Sequence, residues 1–508
     1  MDNKIVLKEK ESTHMNTKMF ILLKLRDKNF LKGISTLIGA GLINFLIGAI
    51  YSVCQLVIYE ISYVKRNNPN STITIENETF YYPVEVIFQC IAAVISGILY
   101  KILGLQYTNL IGAGILFLGY LTLVLSRSFP ADMLGMTLSG FGTGIIYYPA
   151  TTYACDWFIE NKGIVIGIIE TMLSLGSFYF NFLGEKVINP TNKKSEDGKL
   201  YNKEIAGRFK TFMIYLILHL IIIYLLSFAL IFKKNKDFIN DINVGLLTGL
   251  KTENEEEIKL PSEEENKDLG EKKLKSIKKS INLKKEFKDF ILMIKKAVKS
   301  KKLLLFGLIG ILQAPIPSMT FALYREIGEH KNINQTYLTS IGPIYFIFEC
   351  VGGFAFGVLC DYVSKKNLIL FINGTNALIG YIYFLCFKSN VTFFLATNII
   401  SFTTGGYYSV SDCFLMDVFG IDIFIELISY INICVSIIII ALTPLSYTIE
   451  KSDAGYWAIF GILSTINLIG FILSFFINEN AFEFNIDYSK EEEKKITGDV
   501  PEQNDQII

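Results

Sequence analysis

The stretch GFGTGIIYYPATTYACDWF, from Gly140 to Phe158, carries the features that decide the fold. Three glycines alternate at Gly140, Gly142 and Gly144, and two tyrosines and a proline follow them. A glycine-rich run that binds a dinucleotide follows a β-strand, whereas this run lies inside a long apolar segment. In a membrane helix, small residues allow neighbouring backbones to approach closely. We therefore interpret the glycines as sites of helix packing and bending, with direct contact to a solute as the alternative.

Apolar segments of this kind recur along the whole chain. The sequence has 508 residues, of which 51% are hydrophobic, with a formal net charge of zero and a mean hydropathy of +0.41. A helix needs about 20 apolar residues to cross the hydrocarbon core of a bilayer. The sequence therefore predicts an all-α, multi-pass membrane protein with twelve transmembrane helices in two six-helix halves. The predicted spans cover residues 33–59, 83–103, 107–127, 131–155, 163–185, 209–232, 303–325, 337–360, 367–388, 391–417, 425–449 and 455–477.

A charged segment divides the chain. The predicted parts are an N-terminal tail (1–32), an N-terminal half (33–232), a linker (233–302), a C-terminal half (303–477) and a C-terminal tail (478–508). The second part of the linker has apolar residues at helical spacing and lysines on the other face. This pattern predicts a basic amphipathic helix on an anionic cytoplasmic leaflet, with a solvated helix as the alternative. Its apolar residues are Leu274, Ile277, Ile281, Phe287, Ile291, Ile294 and Val298.

The distribution of lysine predicts the orientation in the membrane. The N-terminal tail, the linker and the loop at 364–366 are rich in lysine, and positively charged loops face the cytoplasm. We expect both termini and residues 233–302 in the cytoplasm, and the plasma membrane as the location, with an internal organelle membrane as the alternative. Protease added outside sealed cells should therefore leave the linker intact, whereas cleavage there would reverse the orientation.

The opening stretch has a second copy, SFTTGGYYSVSDCFLMDVF, at 401–419, after a shift of 261 residues. The fourth predicted span thus corresponds to the tenth, and the halves are parallel repeats. In transporters with such symmetry, the solute site lies near the middle of the membrane between the repeats. The matched pairs are Phe141 with Phe402, Thr143 with Thr404, Gly144 with Gly405, Tyr147 with Tyr408, Asp156 with Asp417 and Phe158 with Phe419.

A second repeated segment lies at the ends of the second and eighth spans. GILYKILG at 97–104 aligns with GVLCDYVS at 357–364 after a shift of 260 residues. The order of residues in GVLCDYVSKK, with glycine, leucine, aspartate and then basic residues, resembles the signature of the major facilitator superfamily. This resemblance implies the major facilitator fold and transport by alternating access.

The opening stretch, followed by ENKGIVIGI, is similar to the monocarboxylate and oxalate/formate carrier branch of that superfamily. Members of the branch carry Gly-x-Gly-x-Gly, Tyr-x-Pro and Trp-Phe before a glycine-rich fifth span. This resemblance covers residues 131–176 only, whereas the resemblance to the superfamily covers nearly the whole chain.

The signature segments also predict gating residues. Asp361 lies at a cytoplasmic helix end, where it can pair with a basic residue of the neighbouring loop and hold one gate closed. The first copy departs from the family pattern, because Lys101 stands in place of the aspartate. We therefore expect the two gates to differ in energy.

Ionisable side chains at membrane depth are costly, so each is a functional candidate. Glu349 lies near the middle of the eighth span, Glu170 in the fifth and Asp412 in the tenth. Desolvation disfavours a carboxylate, so buried carboxyl groups are suited to take up and release protons. We predict proton coupling by Glu349, with Glu170 and Asp412 as the next candidates. Glu85 and His219 are weaker candidates, and a structural hydrogen bond to a neighbouring helix is the alternative for each.

The predicted spans carry no lysine or arginine at mid-depth, and Gly353 stands where carboxylate-binding relatives have a cation. This departure disfavours a dicarboxylate. A weak acid can still enter with its proton, or hydroxyls and amides can hold its carboxylate. Pro315 and Pro317 should break the seventh span beside Gln313, and such breaks often line sites. The predicted solute-binding residues are Asn44, Tyr147, Tyr148, Gln313, Tyr345, Tyr407, Tyr408 and Asn432.

These features predict a secondary active transporter of a small organic anion, specifically a monocarboxylate, coupled to protons. Alternatives are a carrier of another solute (pantothenate or another vitamin acid, an amino acid, a sugar or a drug-like compound) and a non-transporting receptor on the same fold. An enzyme is not expected, because the sequence has no nucleophile elbow, metal cluster or phosphate-binding loop. The expected partners are a small-molecule substrate, protons and membrane lipids, with no cofactor, metal or nucleic acid, and the expected state is a monomer.

Overall fold

The computed structural model describes residues 28–68, 73–74, 77–191, 193, 200–232, 290–333, 335–383, 385, 389–448 and 452–484. These residues form helices and contain no β-strand, and the helices make twelve spans, which confirms the predicted fold class. In chain order, the spans are Lys28–Ile47 with Ala49–Asn67, then Glu78–Leu103, Leu105–Leu125, Phe129–Trp157, Lys162–Ile188, Lys203–Leu230, Lys301–Gln313 with Pro315–His330, then Gln335–Cys360, Lys365–Ile382, Asn390–Phe419, Phe424–Thr448 and Asp453–Ser474.

Two spans bend at a single residue. The first bends at Gly48, where any side chain would clash with the backbone of the fifth span. The seventh bends at Ala314, because Pro315 and Pro317 have no N–H group with which to continue the ladder of hydrogen bonds. The predicted break beside Gln313 is therefore confirmed.

The spans differ in how apolar they are. Among the described residues, nine helices are long and apolar enough to cross a membrane by length and composition. The fourth, ninth and tenth spans are less apolar, because they carry many glycine, serine, threonine and asparagine residues. Most of these small and polar residues are buried between helices, so the lower hydropathy reflects packing inside the protein.

Four spans lie at the outside of the bundle, where their apolar side chains face lipid. The third, sixth, ninth and twelfth spans expose large hydrophobic side chains, which would be unfavourable in water but suit hydrocarbon. Examples are Leu118 and Leu125, Ile222 and Leu225, Phe371 and Leu378, and Ile462 and Ile472.

Helix packing reproduces the sequence repeat. A side chain at Gly144 in the fourth span would clash with the carbonyl oxygen of Gln89 in the second. A side chain at Gly405 in the tenth span would clash in the same way with the carbonyl oxygen of Glu349 in the eighth. Gln89 and Glu349 are themselves 260 residues apart, which is the shift found between the signature segments. Equivalent helices therefore make equivalent contacts in the two halves.

Among the described residues, the two halves pack against each other from one face to the middle of the helices. We define the signature face by the loops at 104, 158–161, 361–364 and 420–423, and the opposite face by the other helix ends. One hydrophobic cluster contains residues of both halves and includes the signature-face ends of the helices, whereas a second cluster belongs to the C-terminal half alone. The contacts between halves join the fifth span to the eighth and the tenth, and the eleventh span to the second and the fourth.

The end of the predicted linker helix packs on the protein. Residues 290–298 are helical, and Phe290 and Ala297 are buried in the cluster that joins the halves. Ile291, Ile294 and Val298 pack against the same cluster. For residues 290–298, the apolar face of the helix therefore packs on the protein and not on the leaflet as predicted, because it has apolar protein partners. The remaining predicted apolar residues, Leu274, Ile277, Ile281 and Phe287, lie outside the described residues.

Candidate functional site

A cavity of about 500 Å³ lies between the two halves. The residues that line it extend from Glu185 and Leu442, near the opposite face, to Asp412 and Ser429, which lie in the parts of their helices nearer the signature face. The cavity is therefore open at the opposite face, and the contacts between the halves close it at the signature face. A solute could reach it from one side of the membrane only.

Most of the predicted solute-binding residues meet at this cavity. Asn44 is the exception: it is buried in the first span, where its side-chain amide donates to the carbonyl oxygen of Ala40 at 3.1 Å. Asn44 is not part of the described lining, so the structure does not support its predicted role. The predicted solute-binding residues that the structure places in the lining are Tyr147, Tyr148, Gln313, Tyr345, Tyr407, Tyr408 and Asn432.

The two tyrosines of the opening stretch make different contacts. The hydroxyl of Tyr147 donates to Oε1 of Glu170 in the fifth span at 3.0 Å. The hydroxyl of Tyr148 accepts a hydrogen bond from Nδ2 of Asn432 in the eleventh span at 2.5 Å. Their ring centroids are 4.4 Å apart. One tyrosine therefore binds a buried carboxyl group, and its neighbour joins the two halves.

The glycines of the opening stretch are packing residues, as interpreted from the sequence. Side chains at Gly140 and Gly144 would clash with the backbone of the second span, and one at Gly142 would clash with the backbone of the third. These close approaches bring the tyrosines that follow them on the same helix to the cavity.

The three predicted proton-coupling carboxyl groups lie close together. Glu349 and Asp412 line the cavity, and Glu170 lies behind Tyr147. Glu170 is near enough to both of the others for an electrostatic interaction. Among the described residues, neither Glu349 nor Asp412 has a side-chain hydrogen bond or an ion pair. Both carboxyl groups are therefore available to a proton or a solute.

Neither of the two weaker candidates is part of the described lining of the cavity. Both carboxyl oxygens of Glu85 are buried in the N-terminal half and have no hydrogen-bond partner among the described residues. His219 has contacts through both ring nitrogens, to the hydroxyl of Tyr179 at 3.0 Å and to the carbonyl oxygen of Tyr215 at 2.7 Å. Neither residue is part of the described lining, so neither is placed to bind a solute.

Positive charge is absent from the described lining of the cavity, which contains no lysine, arginine or histidine. A partly buried cation does occur elsewhere: Nζ of Lys210 lies 2.5 Å from Oε1 of Glu60 and 2.6 Å from the carbonyl oxygen of Leu123. Nearby, the hydroxyl of Tyr81 donates to Asp132 at 2.7 Å. Sequence reasoning missed this cluster, because its members come from five different spans.

Asp361 closes the signature face by a different contact from the one predicted. Its two carboxylate oxygens accept hydrogen bonds from the backbone N–H groups of Gly163 and Ile164, at 2.9 and 3.0 Å. These groups begin the fifth span, where the helix dipole favours a negative charge. The basic side chains nearby, Lys162 and Lys365, bind Asp417 instead, at 3.1 and 2.8 Å.

We expect the Asp361→Asn variant to shift the protein towards a state that is open at the signature face. The amide has one oxygen acceptor where the carboxylate has two, and it carries no charge. The loss of a charged hydrogen bond costs about 1.5–3 kcal/mol, which corresponds to a roughly ten- to 150-fold shift in the population ratio.

The native thiols of Cys54 and Cys90 line the cavity and report the shift. Sealed vesicles are prepared with the protein in either orientation, so that an impermeant maleimide reaches one face of it in each preparation. The rate at which the two cysteines are labelled is measured from each face. Peptide mass spectrometry identifies the labelled residues. The rate of labelling from the opposite face, divided by the rate from the signature face, should fall in Asp361→Asn. It should fall at least as far in Asp361→Ala. An unchanged ratio would show that Asp361 does not hold the gate.

Comparisons with known proteins agree with this architecture. Residues 303–498 match the family model of the Major Facilitator Superfamily. The E. coli proton:xylose symporter with bound 6-bromo-6-deoxy-D-glucose is 12% identical, with 88% of this chain and 97% of that chain covered and a TM-score of 0.60. The human organic anion transporter is 13% identical (88% and 100% covered, TM-score 0.57), and the E. coli fucose:proton symporter is also 13% identical (87% and 98% covered, TM-score 0.54). No curated protein matches the sequence.

At these identities the structural similarity shows the fold. The chain has the major facilitator fold, its C-terminal half matches the superfamily by sequence, and it is an integral, multi-pass membrane protein. The resemblance to the monocarboxylate and oxalate/formate branch stays a prediction.

Proposed function

We propose that this chain is a secondary active transporter that moves a small organic solute by alternating access, together with protons. The observation that carries the proposal is the cavity between the repeated halves, which is open at the opposite face and sealed at the signature face. This arrangement is one of the two states that alternating access requires. With the signature face in the cytoplasm, as the lysine distribution predicts, the cavity is open to the outside.

The solute that we propose is a monocarboxylate. The described lining has no cation to bind a carboxylate ion, but Gln313, Asn432 and the hydroxyls of Tyr407 and Tyr408 can donate hydrogen bonds to one. The acid can also enter in its protonated form, for which no cation is needed. The name of one structural neighbour, an organic anion transporter, supports this class of solute.

A neutral, polyhydroxylated solute such as a sugar is the second candidate. Specificity in such a site comes from hydrogen bonds, because a site that pairs every polar group rejects analogues that lack one. The described lining offers tyrosine hydroxyls and the amides of Gln55, Gln89 and Asn181, with no opposing positive charge. The names of the xylose and fucose symporters support this candidate.

Proton coupling is assigned to Glu349. Its carboxyl group faces the cavity, so protons reach it from whichever side the cavity is open to. Glu170 and the hydroxyl of Tyr408 are close enough to interact with it, so its charge can influence the residues that contact the solute. A proton that binds with the solute at one face and leaves at the other would couple the two movements.

Uptake by proteoliposomes tests the proposal. The panel contains short monocarboxylates, monosaccharides, amino acids and vitamin acids, each with and without an inwardly directed proton gradient. We expect accumulation of one class that depends on the gradient and is absent from protein-free liposomes. Binding without entry into the liposomes would favour the non-transporting receptor, and entry that never exceeds the outside concentration would exclude coupling.

A further inference from the structure

The signature face is closed along two seams that the repeat makes equivalent. In the first seam, Gly357 of the eighth span packs on the fifth span, and Asp361 accepts the hydrogen bonds at the start of that span. In the second seam, Gly97 of the second span packs on the eleventh span beside Glu426. Lys101 follows Gly97 at the position that Asp361 occupies after Gly357.

Lys101 cannot make the contact that Asp361 makes. An ammonium group only donates hydrogen bonds, and its positive charge is unfavourable at the start of a helix. Glu426, in the first turn of the eleventh span, is near enough to attract it, yet the two form no ion pair. Both carboxyl oxygens of Glu426 are buried without a hydrogen-bond partner among the described residues. The second seam therefore lacks the cap that closes the first.

An aromatic ring from the linker binds the Lys101 ammonium instead. Nζ of Lys101 lies 3.2 Å from the centroid of the Phe290 ring, and Phe290 is 5% exposed. The helix at 290–298 continues into the seventh span through Ser300, whose side chain caps that span by accepting from the backbone N–H of Leu303 at 3.2 Å. Phe290 is thus attached to the C-terminal half, whereas Lys101 belongs to the N-terminal half.

We propose that Phe290 is a positioning residue of the transport cycle: its contact with Lys101 crosses the second seam and supplies the closing interaction that the first signature copy has lost. The proposal rests on alternating access as the proposed function. When the signature face opens, the second span separates from the eleventh and from the linker helix, so the contact breaks. It therefore stabilises the state with the signature face closed.

The test is the Phe290→Ala variant in the two-sided labelling assay of Cys54 and Cys90. A partly buried cation–π contact is lost, so the ratio of labelling from the opposite face to labelling from the signature face should fall roughly two- to thirtyfold. Phe290→Trp should keep the wild-type ratio, because a tryptophan ring binds a cation at least as well. Phe290→Leu keeps an apolar side chain without the aromatic face and should behave like the alanine variant.

A double-mutant cycle separates this contact from general packing. Lys101→Met should lower the ratio as Phe290→Ala does, and the double variant should add little to either. Additive effects, an unchanged ratio, or a rise in the ratio of Phe290→Ala would each overturn the proposal. The assay needs no transported solute, so it also separates two failures. If Asp361→Asn shifts the ratio and Phe290→Ala does not, only this inference fails; if no gate variant shifts it, alternating access itself fails.

Discussion

The Glu349→Gln variant should exchange solute across the membrane and fail to accumulate it against a gradient. Glutamine keeps the shape of the protonated glutamate, so the solute site stays intact, but its amide cannot release a proton. Exchange requires only that the loaded cavity alternates between faces. Net accumulation requires the proton to leave on the far side, and that step is lost.

The expected effect is large. A gradient of one pH unit stores about 1.4 kcal/mol per proton and supports roughly tenfold accumulation by a carrier that moves one proton with each solute. Uptake by the wild type should rise as the outside becomes more acidic, whereas the variant should equilibrate the solute at any pH difference. Counterflow of labelled solute in preloaded proteoliposomes measures the exchange that remains.

The repeat and the surface provide checks on folding. Gln89 is the equivalent of Glu349 in the N-terminal half and makes the same backbone contact with a glycine, so an amide side chain fits this packing. Glu204→Gln removes an exposed acid at the start of the sixth span and should leave accumulation unchanged. Continued accumulation by Glu349→Gln would exclude this residue as the coupling site and move the assignment to Glu170 or Asp412. If none of the three matters, the protein is a facilitator with structural acids.

The fold could be predicted because the number of spans and the internal repeat can both be read from a single sequence. Twelve apolar segments and a repeat with shifts of 260 and 261 residues fixed the number of spans and the symmetry. A minority of the side chains in the described lining were also predicted, since Tyr147, Tyr148 and Tyr408 fall near mid-depth on equivalent helices.

The rotation of each helix was not predictable, because it depends on the packing of all its neighbours. Asn44 is at a suitable depth yet is not part of the described lining. Gln55, in the second of the two helices that form the same span, lines the cavity. Partners distant in sequence were missed for a related reason. Asp361 accepts hydrogen bonds from backbone N–H groups of the other half, and no sequence pattern identifies a backbone donor.

Valine at Gly357 should prevent the signature face from closing. A Cβ at this position would lie 2.8 Å from the carbonyl oxygen of Gly163, and the backbone of Gly167 is nearer still. The eighth and fifth spans can approach this closely only because glycines meet there. An inserted side chain that separates them costs about 1–3 kcal/mol, which predicts a roughly five- to 150-fold shift towards the state open at the signature face.

The chain offers a matched control, Gly114→Val in the third span, because a Cβ at that glycine would lie within 4 Å of no described atom apart from its own turn of helix. Both variants add the same side chain to a membrane helix, so they should be expressed and purified alike. Only Gly357→Val should lower the labelling of Cys54 and Cys90 from the opposite face, raise their labelling from the signature face and reduce uptake. Equal labelling ratios in the two variants would mean that the glycine contact is not what closes this face, and Asp361 and Phe290 would then have to hold the halves together without it.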